Sequence, residues 1–144
     1  MSNYMPYQNT TISERKSMLQ VQELLEGAGF DQVATVCEKK SGRRAVIAMY
    51  GGAEFRFEID TVAMREKISK RVRIDVMKVG WRLMWAQVKE TCDGIKWGVI
   101  TPAQAFSGYL CLPDGRTVAN QVTEAIENGS IKSGFNLLQI EGPQ

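Results

Sequence analysis

The sequence predicts an α+β domain: a helix, a three-stranded antiparallel sheet, a long basic helix and two shorter carboxy-terminal helices. Three observations predict it. Apolar residues recur at helical spacing early in the chain, the period changes to two from Asp31 to Ile59, and helical spacing returns from about Met64. With 144 residues, 44% of them hydrophobic, the chain holds enough apolar material for one core. A single domain is therefore expected over residues 11–129, between a flexible segment 1–10 and a carboxy-terminal tail or edge strand 130–144.

The first helix is expected to start at Thr11, because Thr11 and Glu14 stand at capping-box spacing, where hydroxyl and carboxylate satisfy each other's free backbone N–H groups. Met18, Leu19, Gln22, Leu25 and Ala28 make its stripe, and Gly27 and Gly29 stop it. Val33, Thr35 and Cys37 then alternate. A turn from Lys39 to Arg44 contains Ser41-Gly42, and the run from Ala45 to Tyr50 completes a hairpin. After the Gly51-Gly52 turn, Phe55, Phe57 and Ile59 alternate with Glu54, Arg56 and Glu58, as in a strand buried on one face.

The long helix is expected from about Met64 to about Thr91, roughly 28 residues and 42 Å. Gly80 lies inside it at a cost of about 1 kcal/mol relative to alanine. Thr101-Pro102-Ala103-Gln104 reads as a helix start, with proline at the first helical position, and that helix ends near Leu110. Pro113-Asp114-Gly115 is a turn, Thr117 caps a last helix through Glu127, and Gly129 terminates it. The first five elements share their order with double-stranded RNA-binding domains, an agreement of order alone without a confirming motif.

Composition excludes much chemistry. There is no histidine, so the commonest general base near neutral pH is missing, together with Ser-His and Cys-His activation. Cys37, Cys92 and Cys111 are widely spaced, without a CxxC pair, and are expected to be reduced structural thiols. Gly51-Gly52 precedes a strand and lacks the GxxxxGK[ST] pattern, so it reads as a turn. Asp60, Glu66, Asp75, Glu90 and Asp93 have no spacing that would gather a two-metal centre. The expectation is a protein that is not an enzyme and uses no metal or cofactor. With no long apolar run and a polar amino terminus, it is expected in the cytoplasm without a membrane partner.

The net charge is only +2, yet residues 65–96 hold nine Lys and Arg against four Asp and Glu. On a helical wheel of the long helix, Ile68, Val72, Val76, Val79, Leu83 and Ala86 form the face expected on the sheet. Ile74, Met77, Trp81, Met84, Val88 and Cys92 form a second apolar group, to be covered by the carboxy-terminal helices or by another copy of the chain, and a homo-oligomer is expected. Lys67, Arg71, Lys78, Arg82, Lys89 and Lys96 fall into one narrow sector with Trp85 near its middle. Such a ridge can follow a phosphate backbone, and an indole among the cations can stack on an unpaired base. Lys and Arg stems also commonly flank a buried stripe with their charges in water, the simpler account of the same pattern. Lys39, Lys40, Arg43 and Arg44 would extend a positive surface. The alternative reading is protein binding, through Met77, Trp81, Met84 and Val88 together with Tyr109 and Arg116.

Trp81-Arg82, Gly98-Val99-Ile100-Thr101, Ala105-Phe106, Tyr109-Leu110 and the run Leu112-Pro113-Asp114-Gly115-Arg116-Thr117-Val118 resemble small proteins of unassigned function encoded by tailed bacteriophages. The likeness covers roughly residues 11–128, and the stretch from Trp81 to Val118 carries its specific part. It implies a phage accessory protein in the host cytoplasm, acting in DNA metabolism such as replication or recombination. The alternative it implies is an inhibitor of a host defence or an assembly factor. This chain lacks the longer insertion often found before the basic helix and interrupts that helix at Cys92-Asp93-Gly94.

Overall fold

Ser13, not Thr11, caps the first helix. In the computed structural model, which describes residues 5–68 and 70–130, the Ser13 hydroxyl accepts the Lys16 N–H at 3.1 Å and helix α1 runs Glu14–Gly27. Its buried residues are Ser17, Met18, Val21 and Leu25. Leu19, expected in the stripe, is 50% exposed, because it sits one helical step (~100°) round the wheel from Met18. The tail or edge strand expected over 130–144 lies, from residue 131 on, outside the described residues, as does the start of the segment 1–10.

Strands β1 (Gln32–Cys37), β2 (Arg44–Tyr50) and β3 (Ala53–Glu58) form one antiparallel sheet in that order. Gly51 and Gly52 both have positive φ, 56° and 82°, as the tight connection from Tyr50 to its partner Ala53 requires. Period two places Val46 opposite Phe57 and Ala48 opposite Phe55, all four buried.

The expected long helix is two helices. Helix α2 covers Thr61–Lys67, capped by Asp60, and Ile68 is extended (φ −89°, ψ 135°). Helix α3 starts afresh at Val76 and runs to Lys96, past the expected end, with the Asp75 carboxylate accepting the Lys78 N–H at 3.1 Å. The break has a physical reason in the sequence. Lys67, Lys70, Arg71 and Arg73 would stand three and four residues apart on a continuous helix, where like charges repel, and β-branched Val72 and Ile74 add crowding. Asp75 offers a cap just beyond them.

Gly80 explains itself in this arrangement. A methyl group there would lie 2.9 Å from Ile59 and from the Met64 sulfur, so its bare backbone lets the end of β3 and α2 close on α3. Helix α4 (Pro102–Phe106) begins with the expected Thr101–Gln104 capping box and runs into a 3-10 turn, Ser107–Tyr109. Leu110 and Cys111 then lie along the outer edge of β3, where the Cys111 N–H donates to the Glu54 carbonyl at 2.8 Å. Helix α5 (Val118–Glu127) is capped by Thr117 and has no buried residue. The core joins α1, the sheet, α3 and Phe106, with the Phe57 and Tyr109 rings stacked at 4.4 Å.

Candidate functional site

The break between α2 and α3 divides the expected ridge. Lys67 ends α2 and Arg71 lies in the connection, both exposed, while Lys78, Arg82, Lys89 and Lys96 belong to α3. Of the four on α3, Lys78 is half-buried and Arg82 is only 3% exposed. The Arg82 Nη1 donates to the Gln20 Oε1 at 2.7 Å and to the Ser17 hydroxyl at 3.4 Å, and its Cζ sits 3.6 Å over the Trp85 ring. Burial pulls the Arg82 guanidinium below its ordinary value, against a smaller opposing influence from Tyr7. Arg82 is thus a packing residue between α1 and α3, and its assignment as a phosphate contact is corrected. The wheel could not show that α1 would close over it.

The protein-interface assignment changes for a similar reason. Trp81, Met84 and Val88 belong to the core cluster, and half-buried Met77 packs against it. This second apolar group is covered by the chain's own elements, so it gives no argument for a second copy. Tyr109 is half-buried against Phe57, and the exposed Arg116 is engaged by Asp114 at 2.9 Å and by Glu124. Tyr109 meets Met84 inside the core, its hydroxyl donating to the Met84 sulfur at 4.0 Å, so the contact is part of the packing and not of an open interface.

A different site remains. A groove of about 550 Å³ opens between the carboxy-terminal halves of α1 and α3. Leu24 and Ala28 of α1 and Cys92 and Ile95 of α3 give it an apolar lining, Trp85 an aromatic one, and Lys89 and Lys96 supply cations opposite Glu23. Trp85 is half-buried, backed by Arg82 and with the Lys89 ammonium 5.4 Å from its ring. Burial pushes the Cys92 thiol up to about 11, with Asp93 adding to it, and its Sγ lies 3.7 Å from the Leu24 carbonyl. Helix spacing accounts for the shared wall, since Trp85, Lys89, Cys92 and Lys96 follow one another at three- and four-residue steps.

Sequence reasoning placed Trp85, Lys89 and Lys96 together and missed the α1 side of the groove. It also missed Trp97, which is 77% exposed at the end of α3 with the Lys96 ammonium 5.7 Å from its ring. The available signal was Gly98, whose positive φ of 75° turns the chain at that end. Among the described residues no group of three or more Cys, Asp or Glu side chains is placed to hold a metal, and no helix is long and apolar enough to cross a membrane. Compared with known protein families, curated proteins and solved structures, the chain matches none.

Proposed function

We propose that the protein is a non-enzymatic nucleic-acid-binding accessory protein, phage-encoded as its likeness implies and acting in DNA replication or recombination in the host cytoplasm. The observation that carries the binding activity is the α1/α3 groove, which combines an aromatic wall with the Lys89 and Lys96 cations. An unpaired base lies against Trp85, whose plane is held by Arg82 behind it. Lys89 and Lys96, about 10 Å apart along the helix axis, take phosphates of the same strand. The exposed Lys67, Lys70, Arg71 and Arg73 add non-specific attraction from the α2–α3 connection.

Fluorescence anisotropy of a labelled single-stranded oligonucleotide tests this at low salt. Binding that weakens with added salt and is lost in the Lys89→Glu, Lys96→Glu double variant supports it. Absence of binding, or equal binding by the folded double variant, overturns it.

A second reading, an inhibitor of a host defence system or an assembly factor, is favoured by the apolar surface at Trp97 and on α5, where Ile126 is 62% exposed. Under that reading, a partner from host lysate stays bound after nuclease treatment, and Trp97→Ser with Ile126→Ser releases it.

A further inference from the structure

The two edges of the sheet are treated differently. The outer edge of β3 is covered by Leu110 and Cys111. The outer edge of β1 has no strand beside it among the described residues. From Gln32 to Cys37 this edge strand carries no charge and no proline, and its register against β2 is unbroken. Proteins ordinarily protect such an edge with charge, proline or a bulge, because its free N–H and C=O groups are a template for another strand.

We propose that β1 is a self-pairing edge, joining two copies of the chain antiparallel about a two-fold axis through Thr35 to form a continuous six-stranded sheet. Hydrogen-bond parity selects that register. The Glu38 N–H donates to the Arg43 carbonyl at 2.9 Å, which makes Glu38 and Arg43 a hydrogen-bonded pair. Alternation along an antiparallel ladder then directs the backbone groups of Gln32, Ala34 and Val36 to β2 and those of Val33, Thr35 and Cys37 outward.

A symmetric partner must align outward groups with outward groups. Of the registers that do so, the one centred on Thr35 uses all three outward residues. It pairs Thr35 with the second copy's Thr35 and Val33 with its Cys37, and the reverse.

The outward run begins at Val33, because the Asp31 N–H turns back to the Met49 carbonyl at 2.9 Å, so Val33, Thr35 and Cys37 are all the ladder that this edge offers. Uncharged Gln32 meets Glu38, and no like charges face each other. On the sheet face away from α1, Ala34 and Val36 beside Ile47 continue an apolar strip across the axis. The interface is independent of the α1/α3 groove.

Sedimentation from micromolar to millimolar protein, together with cross-linking, tests the pairing. The wild-type chain is expected to form a concentration-dependent dimer. Thr35→Lys, which places two ammonium groups face to face on the axis while leaving the β1–β2 ladder intact, is expected to be a folded monomer at every concentration.

In a Cys37→Ser background, Thr35→Cys is expected to form an intermolecular disulfide under mild oxidation, since hydrogen-bonded pairs have Cα atoms about 5.5 Å apart. Ala34→Cys, which the register separates from its own copy, is expected to cross-link at least tenfold more slowly. A wild-type chain that stays monomeric overturns the proposal and leaves the edge to a strand from another protein. Dimers that survive Thr35→Lys overturn it as well, and so do equal cross-linking rates at positions 34 and 35.

Discussion

The Arg82 guanidinium lies 3.6 Å above the Trp85 ring while its Nη1 donates to Gln20 across the α1/α3 interface. No carboxylate lies within ion-pair distance of it among the described residues. Neutral oxygens and an aromatic face therefore hold a buried cation, and both need the planar fork of arginine.

Arg82→Lys is accordingly not conservative. It keeps the charge and loses the stack, with an expected loss of about 1–2 kcal/mol in unfolding free energy. Arg82→Glu buries an unpaired carboxylate and should cost about 3–5 kcal/mol. Urea midpoints at unchanged slope measure both. A fully stable Arg82→Glu protein would show that this side chain is free to leave the interface.

The two groove lysines should be visible in the salt dependence of binding. If each contacts one phosphate of a single strand, the Lys89→Glu, Lys96→Glu variant lowers the slope of log K against log salt by roughly 1.4, about 0.7 for each contact. Trp85→Leu should weaken binding by about 1–3 kcal/mol while leaving the slope unchanged, because stacking releases no counterions. Titrations at four salt concentrations separate the two effects. A slope that changes with Trp85→Leu alone would count against the stacking role.

Trp81→Ala is a contrasting case. Trp81 is fully buried in the core cluster, so its truncation should cost about 3–5 kcal/mol in stability. Any loss of binding should disappear once the measurement is made on the folded fraction, as thermal unfolding followed in the same buffer can establish.

The elements were legible where local rules decide them. Period-two alternation located β1 and β3, the Val- and Ile-rich run located β2, and the Thr101 and Thr117 hydroxyls accept the Gln104 and Asn120 N–H groups at 3.1 and 3.3 Å as helix caps. The α2–α3 break was missed because apolar periodicity ran through it, while the repulsion among Lys67, Lys70, Arg71 and Arg73 and the Asp75 cap favoured separation. Only one wall of the groove was legible. A wheel orders residues around a single axis, and whether Arg82 faces water or α1 depends on which helix packs there. Met84 and Trp81 show the same limit, since nothing in their spacing told core from interface.

Gly80→Ala sets two effects against each other. Alanine improves helix propensity by about 1 kcal/mol, whereas its methyl group meets Ile59 and Met64 at 2.9 Å. Met64 can swing aside, but the Ile59 Cγ2 is fixed by β-branching, and overpacking of this kind costs about 1–3 kcal/mol. A net loss of about 1 kcal/mol is expected. Ile59→Val should relieve part of it in a double-mutant cycle, with coupling above about 0.5 kcal/mol. Stabilisation by Gly80→Ala would mean that the end of β3 does not press on α3.

The thiols give a pH-dependent test. Burial is the main reason that Cys92 and Cys111 are both raised from about 9 to about 11, and Glu54 contributes to the shift at Cys111. In the unfolded chain these thiols ionise near 9, while in the folded protein they keep their protons until about 11. The folded state thus binds more protons across that window, and stability must fall as pH rises through it. Below about 9 both states are protonated and the two thiols contribute no slope. Urea unfolding between pH 8 and 11 should show the decline, and Cys92→Ala with Cys111→Ala should flatten it. Alkylation followed by mass spectrometry gives an independent reading at neutral pH. Exposed Cys37 should be modified first, with Cys92 and Cys111 reacting at least tenfold more slowly because they are half-buried and remain neutral thiols. Equal modification of Cys37 and Cys92 would show that the groove lets reagent reach a thiolate and that α1 does not shield it.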